Sequence, residues 1–297
     1  MSPMGPARPD GTLPDAHKHL QCMEIWGGNR FVESSVELPG LDAWVYSRPH
    51  GGDKGGGDVH YVSSCASGMI ARVLVADVSG HGAKVSETAK RLRQLMRRHV
   101  NDHDQARLMR SLNRDFAAVS VAGRFATAVA FTYDATTGRL IVSNAGHPPP
   151  LWYRGARGGW TFLAPGATAG GNDSGPVDVP WGIDDAVEYN RFEVDLEPGD
   201  AVVRYTDSLP EARLDESRML GADGLLRVVS DFGTTIAPSR LVPELLARVM
   251  RETGREFDDD VTVLAVSPNG QRRHIPLHDR LLAPLRYLRG VAGSFTS

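Results

Sequence analysis

Four aspartates stand in short, well-separated motifs of this chain: Asp58 in Gly56-Gly57-Asp58, Asp77 in Asp77-Val78-Ser79-Gly80-His81-Gly82, Asp207 in Thr206-Asp207, and Asp259 in Asp259-Asp260-Val261-Thr262. Each ends or adjoins a run that reads as a strand. Carboxylates brought together from four places would make an oxygen-rich site for a hard divalent cation, because Mg²⁺ and Mn²⁺ prefer carboxylates, carbonyls and water. Two such ions side by side can generate hydroxide and clamp a phosphoryl group. A single aspartate at a strand end more often caps a turn or faces water. The four together, with their Gly and Thr neighbours, favour the site over four separate turns.

The elements that would position them can be read in part. Ser64 to Gly68 reads as the turn between two antiparallel strands, and a two-residue turn at Ser67-Gly68 places Ala66 opposite Met69. Continuing that register puts Asp58 directly opposite Asp77, with Cβ atoms roughly 4.5–5.5 Å apart. Two carboxylates that close repel unless one holds a proton or a cation sits between them. A slip of one residue would destroy the pairing. Gly56-Gly57 allows unusual backbone angles and close approach of a ligand. The run from Val78 to Gly82 leads into a helix whose N-terminus would favour an anion, and backbone carbonyls there could add metal ligands. His81 is a candidate proton donor to a leaving serine oxygen; the competing reading is a histidine that orders the loop.

Along the chain, strands are expected at Ala43–Ser47, Val59–Ser63, Ala71–Ala76, Thr127–Tyr133, Arg139–Asn144, Val187–Val194, Ala201–Tyr205 and Val261–Val266, with a hairpin turn at Asp134–Gly138. Helical spacing appears at Val85, Ala89, Leu92, Met96 and His99, at Leu108, Leu112 and Phe116, and at Leu241, Leu245 and Val249, the last with Ser239 as its N-cap. The order is not a regular β-α-β alternation, which favours an α+β class with helices covering antiparallel sheets. Residues 1–40 read as a short tail, disordered to about Asp15; 41–268 read as the folded domain and 269–297 as a C-terminal extension. Gly155 to Gly175 reads as a loop.

Bulk properties exclude several classes. Of 297 residues, 41% are hydrophobic and 23% charged, as in ordinary globular proteins. A net charge of −3 gives no bulk affinity for nucleic acid or anionic membrane. No apolar run approaches the ~18 residues of a membrane span, and no signal pattern opens the chain, so a cytoplasmic location is expected. Cys22 and Cys65 are too few for a disulfide framework.

The motifs resemble those of the metal-dependent protein phosphatases, the PPM or type-2C family, and within it the bacterial SpoIIE-type, RsbU-like serine phosphatases. In family order the chain carries Gly56-Gly-Asp58, Asp77 to Gly82, Phe125-Ala-Thr127, Ala145-Gly-His-Pro-Pro149, Pro198-Gly-Asp200, Thr206-Asp-Ser208 and Asp259-Asp-Val-Thr262. The likeness covers roughly Leu41 to Pro268. It implies a four-layer α-β-β-α sandwich of two antiparallel sheets flanked by helices, with the metal site at one end. It implies two Mn²⁺ or Mg²⁺ ions bridged by Asp77, with the Val78 carbonyl, Asp58, Asp207 and Asp259 completing the site. The implied reaction is in-line attack of metal-activated hydroxide on phosphoserine or phosphothreonine, without a covalent enzyme intermediate. The implied partners are a phosphoprotein, such as an anti-sigma-factor antagonist, and an activator protein.

Two features depart from the pattern. Ser208 replaces the family glycine, which would be costly if the turn needs a positive φ; this is the one feature favouring a catalytically silent regulator that only binds a partner. Asp53 in Gly51-Gly-Asp53 is a rival to Asp58, and by itself would suggest a nucleotide cyclase, but no Glu-Phe follows it. His147 reads as structural and Asn144 as a turn residue. Arg48 could bind phosphate or simply face water. Lys90, Arg91, Arg93, Arg97 and Arg98 read as the solvated face of the first helix.

Overall fold

Every second residue from Leu41 to Ser47 is buried, the two-residue period of a strand with one face in a core. The same alternation organises the whole protein. The computed structural model describes residues 18–20, 25–65, 69–80, 82–99, 102, 104–120, 123–165, 178–232 and 236–271. Its elements are β1 (Lys18–His19), β2 (Ile25–Gly28), β3 (Val32–Leu38), β4 (Leu41–Arg48), β5 (Asp58–Cys65), β6 (Ile70–Val78), α1 (Ala83–His99), α2 (Gln105–Val119), β7 (Ala126–Asp134) and β8 (Arg139–Ala145). They continue with β9 (Leu151–Arg154), β10 (Gly159–Phe162), β11 (Phe192–Asp195), β12 (Ala201–Tyr205), α3 (Gly221–Ser230), α4 (Pro238–Thr253) and β13 (Val261–Pro268).

The strands form a seven-stranded sheet, β1-β3-β4-β13-β12-β9-β10, and a six-stranded sheet, β11-β8-β7-β6-β5-β2. Pairing is antiparallel except for the short β1–β3 contact. Between the sheets lies one apolar core that includes Val36, Leu41, Val73, Val75, Phe131, Val202 and Leu264. Each such side chain contributes about 1.5–3 kcal/mol when fully buried. Helices α1 and α2 cover the outer face of the six-stranded sheet, and α3 and α4 that of the seven-stranded sheet. This is the expected α+β, four-layer sandwich.

The β5–β6 pairing runs from Asp58↔Asp77 to Cys65↔Ile70, the register read from the sequence. Its turn at Ser67-Gly68 lies outside the described residues, as do the tail before Lys18 and the extension after Gln271. The Asp134–Gly138 turn forms as expected: Asp134 accepts hydrogen bonds from the Thr136 N–H at 2.8 Å and hydroxyl at 2.6 Å. Lys90, Arg91, Arg97 and Arg98 do face solvent, whereas Arg93 is only half exposed.

Other expectations need correction. Only Phe192–Asp195 of the run from Val187 is a strand, because Val187 and Tyr189 turn inward onto the α2 layer instead. Gly155–Phe162 is not loop throughout; Trp160 and Phe162 form the edge strand β10 and pack on the outer core. Helix α4 begins at Pro238, whose fixed φ suits a first helical position, so Ser239 is inside the helix and not its cap. Strands β2, β3 and β9 and helix α3 were not anticipated.

One consequence of strand parity sets up the site. On the inner face, β6 presents Ala71, Val73 and Val75, then Asp77; β12 presents Val202, then Arg204, with Thr206 just past its end; β13 presents Val266 and Leu264, then Thr262. The space between the sheets is therefore apolar over most of its length and polar at one end.

Candidate metal centre

Asp58 lies at that polar end, only 3% exposed, in register with Asp77. Its Oδ2 accepts a hydrogen bond from Thr206 Oγ1 at 3.0 Å, across from the other sheet. Thr206 Oγ1 in turn accepts from the Thr262 N–H at 3.0 Å and stands 3.3 Å from Ser208 Oγ. Ser47 and Thr262 share a hydroxyl hydrogen bond of 2.9 Å. A ladder of hydroxyls from the seven-stranded sheet thus holds a carboxylate that belongs to the six-stranded one. Ser208 is not at a positive φ and is buried, so the turn accommodates serine without backbone strain. Asp53 is exposed in the preceding loop, leaving Asp58 as the inward residue.

Asp207 follows β12 in a tight turn closed by Glu211 N–H to Asp207 O at 2.8 Å. Asp259 and Asp260 precede β13 and divide their roles. Asp260 is bonded into the loop: its carboxylate accepts the His50 N–H at 2.6 Å and the Gly57 N–H at 2.5 Å. A Cβ on Gly56 would overlap that carboxylate, and one on Gly57 would crowd the Val78 carbonyl. The Gly-Gly pair is therefore required by close approach of Asp260 and Val78. Asp259 is exposed; its carboxylate accepts the Asp260 N–H at 2.7 Å and lies within electrostatic reach of Asp77 and Asp207. His81 lies outside the described residues. Asp260→Ala should leave two loop amides without their acceptor and cost about 2 kcal/mol of stability, read as a lower denaturant midpoint at unchanged slope; Gly56→Ala should do the same through overlap.

The electrostatics are those of acids crowded together. Burial, then Asp77 and Asp260, hold the Asp58 carboxyl well above the usual carboxylate range, with the threonine hydrogen bonds opposing. Burial, then Asp207, Asp259, Asp260 and Glu211, push Asp77 up to about 8. Asp207 rises to about 6 through burial, then Glu211 and Asp259. Among the described residues, none of Asp58, Asp77, Asp207 or Asp259 has a lysine or arginine in an ion pair. No three of these side chains meet at one point as a closed cage; what the fold brings together is their backbone positions. Crowded acids at graded depth, Asp58 buried, Asp77 and Asp207 half-buried and Asp259 exposed, are all hard oxygen donors of the kind a divalent ion takes.

Beneath this layer sits a cation that the sequence did not flag. Arg204 is wholly buried between the sheets, donates from Nη1 to Val73 O at 3.2 Å and Val129 O at 2.5 Å, and stacks over Phe131. Burial lowers its pKa to about 9. His147, held by Thr127 Oγ1 at 3.0 Å and by backbone bonds with Asn144, is kept neutral down to about 3 by burial and then by Arg204. His147 is packed and hydrogen-bonded as a structural residue is, whereas Asn144, read as a turn residue, lies in β8 opposite Val129 and bonds the His147 backbone through its side chain; Thr127 stands opposite Asp77, so they buttress the site. Arg48 points to the outer face, 3.7 Å from Glu256, and not toward the carboxylates. Glu211 is the acidic neighbour that sequence reasoning missed.

Solved structures share this architecture. The RsbU and RsbW domains of Rv1364c from Mycobacterium tuberculosis match with a TM-score of 0.62 at 23% identity over 84% of this chain and 64% of that one. The PP2C phosphatase domain of SpoIIE from Bacillus subtilis, with a fragment of its regulatory domain, matches with a TM-score of 0.59 at 14% identity over 83% and 64%. This chain therefore spans slightly under two thirds of those two. The catalytic domain of the serine/threonine phosphatase PstP, in complex with two manganese ions, matches at 0.52 and 16% over 76% and 97%. At these identities the likeness is one of fold. The family model of Stage II sporulation protein E (SpoIIE) covers residues 68–269, more than half of the chain, and with all the carboxylate motifs but Gly56-Gly57-Asp58 inside that span, the protein belongs to the SpoIIE family, on the PP2C phosphatase fold.

Proposed function

We propose that the protein is a metal-dependent serine/threonine protein phosphatase acting on a bacterial signalling phosphoprotein. The observation that carries this is Asp58 opposite Asp77 at the polar end of the sandwich, with Asp207 and Asp259 contributed by the other sheet. In this reading Asp58, Asp77, Asp207, Asp259 and the Val78 carbonyl hold two ions, Mn²⁺ or Mg²⁺. When bound, such ions supply a water of lowered pKa and neutralise phosphoryl oxygens. The chain's own residues do the rest. The hydroxyl ladder through Thr206 fixes Asp58, Asp260 ties the loops at Gly57 and His50 into one rim, and His81 serves as proton donor to the leaving oxygen.

The resemblance of the motifs to RsbU-like phosphatases points this reading to a substrate of the anti-sigma-factor-antagonist kind, with an activator protein as second partner; the fold likeness to the RsbU and RsbW domains is in keeping with it. A cytoplasmic setting is part of this reading; among the described residues no helix is long and apolar enough to cross a membrane. A silent regulator of the same fold is the alternative. Its one supporting feature, Ser208, fits the hydroxyl ladder without strain. The test is hydrolysis of p-nitrophenyl phosphate and of a phosphoserine protein with Mn²⁺ or EDTA. Turnover that requires Mn²⁺ is expected. Mn²⁺ binding without turnover of either would favour the regulator, and no Mn²⁺ binding would remove both the metal site and the proposal.

A further inference from the structure

Four large hydrophobic side chains are exposed among the described residues: Phe31 (62%), Phe125 (37%), Ile183 (58%) and Met219 (49%). Isolated exposed apolar residues need no explanation. These four come from four separate segments, yet all sit at the carboxylate end of the sandwich. Phe31 precedes Val32, which pairs with Ser47. Phe125 precedes Ala126, which pairs with Val78, and its N–H donates to Ser79 Oγ at 3.1 Å. Ile183 follows Trp181, which is bridged to Ala126. Met219 is bridged to Arg213 and borders a cleft that Asp259 and Ser208 also line.

That cleft has a volume of about 170 Å³, with Met219 and Phe257 as apolar walls and Arg213 and Arg255 among its lining residues. A cavity of roughly 150 Å³ accepts a benzene ring, so a leucine or phenylalanine side chain fits. Glu211, Glu256, Asp258 and Asp259 line it too and outnumber the two arginines, so the rim around that side chain is acidic on balance and does not favour an acidic neighbour. The apolar strip extends beyond the cleft: Phe31 packs edge-on against Tyr46 at 6.2 Å, and Arg48 beside them reaches Glu256, another lining residue.

We propose that the cleft between Met219 and Phe257 is a specificity pocket for a leucine- or phenylalanine-sized side chain of the phosphoprotein, lying a few residues from its phosphoserine. The inference rests on the phosphatase reading, since Asp259 and Ser208 border both the pocket and the metal centre. A segment anchored in the pocket would lead its neighbouring residues past the carboxylates, at about 3.3 Å per residue. The exposed Phe125 and Ile183, at the start of β7 in the other sheet, extend the apolar rim for the rest of the substrate surface.

The test uses phosphoserine peptides in which each flanking position is in turn Leu, Phe, Ser or Lys, with p-nitrophenyl phosphate as a substrate that has no flank. The wild type should prefer Leu or Phe over Ser at one position by about tenfold in kcat/KM, the scale of one apolar subsite. Met219→Ser, and Ala212→Phe which fills the cleft from its wall, should erase that preference. Hydrolysis of p-nitrophenyl phosphate should stay within about twofold of wild type. A wild type without flanking preference, or variants that retain it, would overturn the pocket; so would equal loss of p-nitrophenyl phosphate turnover, which would make these residues structural. If the wild type hydrolyses nothing, the phosphatase reading falls. Fluorescence anisotropy of the same peptides, labelled and with Mn²⁺ present, then still decides the pocket: tighter binding of the Leu peptide, lost in Met219→Ser, supports it, and equal binding overturns it.

Discussion

Asp77→Asn is expected to lower Mn²⁺-supported hydrolysis of p-nitrophenyl phosphate by at least about a thousandfold, while raising the melting temperature of the protein in EDTA. The two effects have one cause. Asp77 faces Asp58 across the strand pair and feels Asp207, Asp259, Asp260 and Glu211, which with burial push its carboxyl to about 8. Near pH 7 the metal-free fold must therefore keep a proton on a group that ionises freely in the unfolded chain. That linkage costs on the order of 2 kcal/mol after allowance for partial solvent screening. Asparagine has nearly the same shape and no charge, so the cost disappears, worth a rise of about 5 °C in a protein of this size. The same substitution removes a carboxylate that, in the proposed site, would hold Mn²⁺. The stabilisation that Mn²⁺ gives the wild type, about 2.7 kcal/mol at a hundredfold excess over Kd, should shrink or vanish. Scanning fluorimetry in EDTA and in Mn²⁺, run beside the hydrolysis assay, separates this from a turn-capping role. A capping aspartate would give a lower melting temperature and unchanged turnover.

The core of the site was legible because strand register is discrete. Once Ser67-Gly68 is taken as the turn, parity forces Asp58 and Asp77 onto the same face, and the structure has that pairing. What escaped the sequence depends on contacts between loops. Nothing in Asp259-Asp260 says which carboxylate turns toward the rim; the choice is made by the Gly57 and His50 amides, which capture Asp260. Glu211 reaches the cluster only because the turn after β12 folds it back toward Asp207. Arg204 sits in a strand that otherwise reads as apolar, and only the opposing sheet's carbonyls make its burial tolerable. Strand β3 was missed because Glu33, Ser35 and Glu37 alternate with its inward residues, diluting the apolar signal that local reading relies on. Helix α3 was missed for a similar reason: Gly221 and Gly224 weaken its propensity, and packing of Leu225, Val228 and Val229 supplies what propensity lacks.

Affinity for Mn²⁺ should rise by about tenfold or more between about pH 6 and about pH 8, because an ion entering this site must displace protons. Asp77 at about 8 and Asp207 at about 6 hold protons in the metal-free fold over part of that range, and burial with Asp77 pushes the Asp58 carboxyl in the same direction. The sign of the stability effect follows. These groups have folded pKa values above the unfolded 3.8, so the metal-free fold binds more protons than the unfolded chain and loses stability as pH rises from about 4 to 8. His60 and His147 act oppositely: both are held neutral down to about 3 against 6.5 unfolded, and they cost stability only as pH falls below 6.5. Between pH 8 and 6.5 the acids act alone, and the metal-free protein should gain stability as pH falls. The Mn²⁺-saturated protein, whose acids are ionised both folded and unfolded, should change little over the same interval, so the two melting curves should draw together. Calorimetric titration at both ends of the range, in two buffers of different ionisation enthalpy, reads the affinity and the released protons together. A pH-independent Kd with no proton release would mean that Asp77 and Asp207 are not ligands, whatever else binds there.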